Sequence, residues 1–124
     1  MSIAEDSFLF GPAPAEILVS PGDTIAHVRR TVLFSCIAYG IPLPTFTWRR
    51  NDSILRNDSS TIIYQSLTTK RGVTFVKSTL EICSLRVEED SGVYSCSADN
   101  VATTASASFE LEVKGITIIL QWLL

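Results

Sequence analysis

The amino-acid sequence predicts an all-β fold in which two antiparallel sheets pack face to face. Apolar side chains recur at every second position in several short segments, whereas the spacing of an amphipathic helix is hard to find. β-Branched and aromatic residues fill these segments, and turn-forming residues separate them at short intervals. A sheet with one apolar face needs a second sheet to cover it, so the pattern indicates a β-sandwich.

The composition limits the chain to one ordinary domain and excludes several classes of function. The chain has 124 residues and 13.6 kDa, with 46% hydrophobic and 19% charged residues, which excludes a disordered protein. Ten basic and 13 acidic residues give a net charge of −3, and a nucleic-acid partner would require a cationic excess. No apolar run reaches the roughly 18 residues of a bilayer-spanning helix, so we expect no membrane span within this chain.

The first half of the chain contains three predicted strands. The second of them has apolar residues at alternate positions, and in the third Phe46 and Trp48 alternate with polar neighbours. Turn residues follow each strand. In chain order we predict a strand near residues 16–20, a turn at 21–23, a strand at 31–38, a turn at 40–44, a strand around 45–49 and a turn at 51–53. A stretch containing Ile54 and Leu55 follows, and a turn at 57–60 ends it.

The second half contains a predicted hairpin followed by two further strands. Residues 68–72 include Gly72 and are expected to close the hairpin between strands at 61–67 and 73–85. Leu80 and Ile82 face one way in the second of these strands. The last two strands are predicted at 93–98 and 105–113, where apolar and polar residues again alternate.

Two cysteines and a tryptophan occupy inward-facing positions of the predicted strands. Trp48 follows Cys36 by twelve residues, and Tyr94 precedes Cys96 by two, after Asp90 and the turn residue Gly92. This Cys, Trp and Tyr pattern resembles the immunoglobulin domains.

Three further motifs resemble the I-set of the immunoglobulin superfamily. They are Gly40-x-Pro42-x-Pro44, Leu80-x-Ile82 and Ala98-x-Asn100. The resemblance extends from about Ala13 to Val113, so we expect an immunoglobulin-like domain at residues 14–114. An N-terminal extension or linker would then occupy residues 1–13, and an apolar tail residues 115–124.

The resemblance implies a sandwich with Greek-key topology and a disulfide between Cys36 and Cys96. Trp48 would pack against this disulfide. The other residues of the core signature would be Leu80, Asp90, Gly92 and Tyr94. Cys83 has the opposite alternation phase to Ile82, so we expect it to point outward and to remain outside the bond.

Three positions depart from the I-set pattern. Thr103 stands where the family usually has glycine, so an unusual turn is expected between the last two strands. The spacing across residues 85–90 is one residue longer than usual and indicates a bulge or an extra turn residue. Arg29 and Arg30 replace a common Glu-Gly pair.

Two Asn-x-Ser sequons, at Asn51 and Asn57, lie in predicted loops. Both are interpreted as N-glycosylation sites of a secreted chain, although Asn, Asp and Ser are also common turn residues. Met1 to Phe10 has no secretory signal, because Glu5 and Asp6 stand where such a signal has basic residues. The chain is therefore either intracellular or a piece of a longer secreted or membrane protein. The cysteine pair and the sequons favour the second interpretation.

Several remaining features have two possible interpretations. Cys83 is either a thiol that pairs with another chain or a small residue under a neighbouring loop, and we favour the latter. The basic doublets Arg29-Arg30, Arg49-Arg50 and Lys70-Arg71 would bind heparan sulfate if they shared one face. Successive strand residues point to opposite faces, so a solvated surface is favoured. His27, the only histidine, is predicted at a surface or edge strand.

The tail at residues 115–124 is strongly apolar. It would be the start of a membrane helix, the first strand of a following domain, or cloning- or splice-derived sequence. We attribute no function to it, and we predict that Trp122 contributes little to stability.

Catalysis has no candidate residues in this sequence. Cys–His proximity, paired carboxylates in a cleft and a metal-binding cluster are all missing from the pattern, and the acidic run at residues 88–90 is interpreted as a solvated turn. We therefore predict no enzyme activity and no cofactor or metal.

The I-set resemblance implies protein recognition or structural spacing. The first hypothesis is an extracellular adhesion, receptor or matrix module whose partner is another protein, a second copy, or a neighbouring immunoglobulin domain. The second is an intracellular spacer of a giant cytoskeletal or muscle filament protein. Candidate contacts are Ile41, Leu43 and Val101, on loops expected at one end of the sandwich. The alternative is that these three residues cover the top of the core.

Overall fold

A computed structural model describes residues 11–115, which form nine strands and one short helix. The predictions for Met1 to Phe10, for most of the apolar tail and for Trp122 lie outside the described residues. In chain order the elements are β1 Ala13–Val19, β2 Thr24–His27, β3 Val32–Ile41, β4 Thr45–Arg50, β5 Ser53–Ile54, β6 Thr61–Lys70, β7 Val73–Ile82, α1 Val87–Asp90, β8 Gly92–Asp99 and β9 Thr104–Lys114.

Two sheets form the sandwich, and the chain passes repeatedly from one to the other. The first sheet has the order β1-β3-β7-β6, and the second has the order β2-β9-β8-β4-β5. All neighbouring strands are antiparallel except β2 and β9, which are parallel from Thr24–Leu111 to His27–Lys114. The immunoglobulin-like sandwich predicted from the sequence is confirmed, with one parallel pair added at an edge.

The core lies between the two sheets and is formed by alternate residues of the long strands. Phe34, Tyr94 and Phe109 form an aromatic group, with the rings of Phe34 and Phe109 4.6 Å apart between centroids. Trp48 is 1% exposed, and its Nε1 donates a hydrogen bond to Ser78 Oγ at 2.9 Å. Removing this much apolar and aromatic surface from water is the main stabilising contribution in a domain of this size.

The structure differs from the expected strand boundaries in several places. β3 continues to Ile41, so the turn predicted at 40–44 begins inside the strand. β2 was not predicted, because four residues are too few to show a clear alternation. The β6–β7 hairpin has strands that continue to Lys70 and Val73, so only Arg71 and Gly72 form its turn, in place of residues 68–72. The strand predicted to reach residue 85 ends at Ile82, and Ser84 follows with a left-handed φ of 53°.

The segment from Leu85 to Asp90, which is one residue longer than usual, contains the one-turn helix α1 at Val87–Asp90. Glu88 and Glu89 are exposed, as expected for a solvated turn. Asp90 is 4% exposed, so the prediction of a solvated turn was wrong for this residue. Its carboxylate accepts the backbone N–H of Arg86 at 2.7 Å and lies 3.7 Å from Nη1 of Arg50. These donors compensate for the cost of removing the charge from water.

Candidate partner-binding surface

Two loops meet at the end of the sandwich where β3 passes into β4 and β8 passes into β9. The first loop, with the end of β3 before it, spans residues 40–44, and the second loop, with the first residue of β9, spans residues 100–104. We call them together the loop surface. Asn100 joins the two, because its Nδ2 donates to the carbonyl oxygens of Pro42 at 3.0 Å and Ala13 at 2.9 Å. Both loops therefore lie at one end of the sandwich, as predicted.

Asn100 also shapes its own turn. Its Oδ1 accepts the backbone N–H groups of Ala102 at 3.0 Å and Thr103 at 3.1 Å. This side-chain turn supplies the hydrogen bonds of the loop. Thr103, which replaces the usual glycine, is not among the residues with positive φ. Asn100 was recognisable in the sequence as part of a family motif, but its role in positioning the loop surface was not.

Gly40 allows the two loops to approach closely. A Cβ atom at this position would lie 2.8 Å from Asn100 Nδ2, 3.1 Å from Pro44 Cγ and 3.2 Å from Ala15 Cα. The first distance is shorter than real Cβ contacts, and the last involves backbone that cannot easily move. A side chain at position 40 would therefore separate the loops and displace the Asn100 amide.

A small cavity of about 140 Å³ lies beside the first loop. It is lined by residues of that loop and of the β6–β7 turn, namely Tyr39, Gly40, Ile41, Pro42, Leu43, Gly72, Val73 and Thr74. Pockets for drug-sized ligands have about 300–1,000 Å³, so this cavity is too small for such a ligand.

The three predicted contact residues differ in their exposure. Ile41 and Leu43 are partly buried and line the cavity, which agrees with a role in covering that part of the molecule. Val101 is 83% exposed, the highest value among the exposed large hydrophobic residues described. Val101 therefore contributes little to the core, and its apolar surface is available to a partner.

The two sequon asparagines are exposed but have structural contacts of their own. Asn51 Oδ1 accepts the backbone N–H of Val93 at 3.0 Å, and Asn51 has a left-handed φ of 48° in the β4–β5 turn. Asn57 Oδ1 accepts the backbone N–H of Ile63 at 2.6 Å. Turn geometry thus accounts for an asparagine at position 51. Attachment of a glycan to Nδ2 would leave both oxygen contacts chemically intact.

The disulfide lies in the same core cluster as Trp48, Leu80 and Tyr94 of the predicted core signature. Cys36 and Cys96 are bonded, both fully buried, and Trp48 is opposite Cys96 in the β4–β8 pair. Leu80 is also fully buried. Tyr94 is 1% exposed, and its hydroxyl donates to the backbone oxygen of Asp90. Burial of this phenol raises its pKa.

Gly92 has a geometric reason to be glycine. Its φ is 150°, and a Cβ atom there would lie 2.8 Å from both amide atoms of Asn51. The close approach brings the Asn51 turn against the start of β8. Gly92 is therefore needed so that the Asn51 side chain can pack against the start of β8.

Cys83 follows the end of β7 and has a free, partly exposed thiol. Its Sγ donates to Glu81 Oε2 at 3.4 Å, and this hydrogen bond, followed by burial, raises the pKa of the thiol. Cys83 is therefore mostly protonated near neutral pH, which lowers its reactivity.

The doublets Arg29-Arg30 and Lys70-Arg71 are exposed, as is His27, whereas Arg49 and Arg50 are partly buried. Arg49 donates to Ser97 Oγ, whereas Arg50 donates to the Glu89 backbone oxygen, so their charges lie at different places. His27 is exposed at the end of the edge strand β2. Within residues 11–115, no cluster of three or more His, Cys, Asp or Glu side chains could hold a metal ion. The same residues include no helix that is both long and apolar enough to cross a bilayer.

Comparison with known families identifies the class of protein. A family model described as "Immunoglobulin domain" matches residues 14–100, which is most of the chain. The chain therefore belongs to the immunoglobulin-domain family, as the sequence motifs predicted.

Curated relatives include proteins with different names and much greater lengths. Neogenin of Homo sapiens is 33% identical over 97 residues, which cover 78% of this chain and 6% of that protein. "Myosin light chain kinase, smooth muscle" of Gallus gallus is 30% identical over 107 residues, which cover 86% and 5%. "Cell adhesion molecule DSCAM" of Gallus gallus is 33% identical over 101 residues, which cover 82% and 4%. The chain thus spans about one twentieth of the length of these relatives.

Among solved structures, titin domain M7 has a similar fold. The TM-score is 0.67 and the sequence identity is 25%, with 83% of this chain and 96% of that chain covered. This similarity supports the architecture described above.

Proposed function

We propose that this chain is a non-catalytic recognition module of an extracellular adhesion, receptor or matrix protein. The module comprises residues 14–114 and binds a protein partner through the loop surface. The observation that carries the recognition role is the exposure of Val101, at 83%, on a turn that Asn100 fixes to the loop containing Ile41 and Leu43. A rigid turn with an exposed apolar side chain loses little conformational entropy on binding.

The placement outside the cell is supported by the covalent structure. Cys36 and Cys96 form a disulfide in the core, and disulfides persist in oxidising compartments. The sequons at Asn51 and Asn57 are both exposed. The similarity to a relative that is named as a cell adhesion molecule, DSCAM, also supports this proposal.

Mass analysis of protein from secreting cells, without reduction, tests the placement. We expect glycan mass at Asn51 or Asn57, a Cys36–Cys96 peptide and a free Cys83. Variants in which Ser53 or Ser59 is replaced by alanine are matched controls, because each removes one sequon without changing its asparagine. Three free thiols and no glycan would contradict the extracellular proposal. A bond from Cys83 to either core cysteine would contradict the Cys36–Cys96 pairing instead.

A charge substitution at Val101 tests the loop surface. Val101→Lys should leave the melting temperature unchanged, because the side chain is exposed, and should abolish staining of cultured cells by the tetramerised chain. Val93→Lys is a matched control, since Val93 is 51% exposed and lies opposite Glu110, away from the loop surface. Equal staining by the wild type and the Val101→Lys variant would contradict the proposed binding surface.

The second candidate is an intracellular spacer module of a cytoskeletal or muscle filament protein. Two findings support it, namely the relative named as a smooth-muscle kinase and the similarity to a titin domain. For a spacer, the loop surface would contact only the preceding segment of the same polypeptide. The mass analysis above separates the two candidates, because a spacer in a reducing compartment would have neither the disulfide nor the glycans.

A further inference from the structure

Strand β6 has an open edge that differs from the other sheet edges in the described part of the chain. At the remaining edges, β2 has four residues, β5 has two, and β1 contains Pro14 and two register breaks against β3. Short length, proline and bulges are ordinary means of preventing edge-to-edge association. In contrast, β6 has ten residues and pairs with β7 without a break.

The hydrogen bonds at the start of β6 show which backbone groups point toward this edge. Thr61 donates its N–H to Asp58 Oδ1 at 2.8 Å and accepts the Asp58 N–H at 2.9 Å, and Ile63 donates to Asn57 Oδ1. The backbone N–H and C=O groups of successive residues point to opposite sides of a strand. Gln65, Leu67 and Thr69 therefore also direct these groups outward, away from β7. No described strand lies on that side of β6.

We propose that the open edge of β6 pairs with the same edge of a second copy of this chain. The two strands are antiparallel, with the two-fold axis at Leu67, so that Leu67 lies opposite Leu67 and Gln65 opposite Thr69 of the second copy. Three such pairs provide about six backbone hydrogen bonds. The contact is isologous and closed, so it produces a dimer instead of a fibre.

Side chains at this edge favour an antiparallel second copy. Residues 65–69 have no charged side chain, and Leu67 is 63% exposed, so its apolar surface would be partly covered by the opposite Leu67. The basic residues Lys70 and Arg71 follow the open stretch, and Asp58 lies at its other end.

The charges at the two ends of the open stretch fit this arrangement. In an antiparallel pair, the basic turn of one copy lies near Asp58 of the other, whereas in a parallel pair the two basic turns would repel. Hydrogen bonds from the Ser60 and Thr61 backbone hold the pKa of Asp58 below its usual value. Asp58 is therefore ionised at neutral pH.

Sedimentation of the full chain, from micromolar to near-millimolar concentration, tests the dimer. The protein is produced without glycans, because a glycan at Asn57 would stand at the end of the open stretch. Leu67→Pro removes one outward N–H but none of the β6–β7 hydrogen bonds. We expect the wild type to dimerise, and Leu67→Pro to weaken the dimer by at least about tenfold through lost hydrogen bonds.

A pair of charge variants tests the register. Lys70→Glu with Arg71→Glu should weaken the dimer, because both turns would then repel Asp58. Arg49→Glu with Lys114→Glu changes the net charge equally on β4 and β9 of the other sheet, and should dimerise like the wild type. Equal weakening by both double variants would overturn the register.

Hydrogen exchange of the unmodified chain gives a readout that does not depend on a variant's folding. With rising concentration, exchange of the Gln65, Leu67 and Thr69 amides should slow. The amides of Ser66 and Thr68 face β7 and should be protected at all concentrations. A monomer at every concentration, or a dimer without slowing at the three outward amides, would overturn the proposal.

Discussion

At the scale of single residues, Trp48 has the largest side chain in the core and makes both apolar and polar contacts. Its indole packs edge-on against Phe109, with ring centroids 6.4 Å apart, and donates to Ser78. We expect Trp48→Ala to lower the free energy of unfolding by about 3–5 kcal/mol, the range for truncating a large buried aromatic side chain. This is a large part of the roughly 5–15 kcal/mol available to a small domain.

Urea denaturation followed by circular dichroism measures this effect. Val101→Ala is the control, because Val101 is 83% exposed and its truncation should change the free energy of unfolding by less than about 0.5 kcal/mol. If the midpoint for Trp48→Ala coincides with that of the control, the assignment of Trp48 to the core is incorrect.

The thiol of Cys83 provides a second prediction at this scale, concerning pH. The hydrogen bond to the Glu81 carboxylate stabilises the protonated thiol and raises its pKa. Only the thiolate is alkylated, so the rate of iodoacetamide modification should rise with pH up to an alkaline midpoint. Glu81→Gln removes the negative charge and should shift that midpoint to lower pH, which increases the rate at neutral pH.

Mass spectrometry of the alkylated peptide follows the reaction. Glu88→Gln is a matched control, since Glu88 is exposed in α1 and is not among the groups that shift this thiol's pKa. An unchanged rate in the Glu81→Gln variant would show that the carboxylate does not control the thiol.

The residues that sequence reasoning missed or misread have contacts from distant parts of the chain. Asp90 is buried by partners that include Arg50, forty residues earlier, so no local pattern distinguished it from the exposed Glu88 and Glu89. Asn100 likewise donates hydrogen bonds to the backbone oxygens of Ala13 and Pro42, which are distant in the chain. Cys36, Trp48 and Cys96 were identifiable because their spacing and alternation are visible in the sequence itself.

At the scale of elements, the β6–β7 hairpin has a turn that depends on glycine. Arg71 and Gly72 have φ values of 53° and 80°, as in the type I′ turns that suit two-residue hairpins. We expect Gly72→Ala to destabilise the domain by about 1–2 kcal/mol, because L-residues with a Cβ are strained in this region. Nearby atoms would not contribute, since open space surrounds the added methyl group.

Gly22→Ala is the matched control for the hairpin. Gly22 also has open space around it but lies outside the left-handed region. Its substitution should be neutral or should stabilise by up to about 1 kcal/mol through the unfolded state. Thermal unfolding measures the melting temperatures of the Gly72→Ala and Gly22→Ala variants. Equal melting temperatures would exclude a conformational role for Gly72.

The predictability of each element depended on its length and on its local pattern. Long strands such as β3 and β9 have several alternating apolar residues, so their location was predicted to within a few residues. β2 and α1 have only four residues each, and packing of distant strands decides their conformation. The turn of the β6–β7 hairpin was predicted to begin at residue 68, three residues before its observed start, for a different reason. Threonine and serine occur in turns as well as strands, so sequence alone did not show that β6 continues to Lys70.

At the scale of the whole molecule, the sandwich was predictable because its cross-link and its two apolar faces are encoded in a few spaced residues. The disulfide closes a sequence separation of 60 residues, which in the chain-entropy model contributes about 4 kcal/mol. The candidate binding surface was predictable only as a set of loops. Which of the three predicted contact residues are exposed depended on the packing between those loops, and among the three only Val101 is largely exposed.

The hydrogen bond from Asn100 to the carbonyl of Ala13 has a consequence for how the domain would sit in a longer polypeptide. Ala13 begins the sandwich within the loop surface, so a domain joined before it in a longer polypeptide would attach at the end where Val101 and the cavity at Ile41 lie. A neighbour attached there would compete sterically with an external partner. The open edge of β6, in contrast, runs along the side of the sandwich and would stay accessible in a linear array. Position along such an array would therefore determine access to the loop surface, but not access to β6.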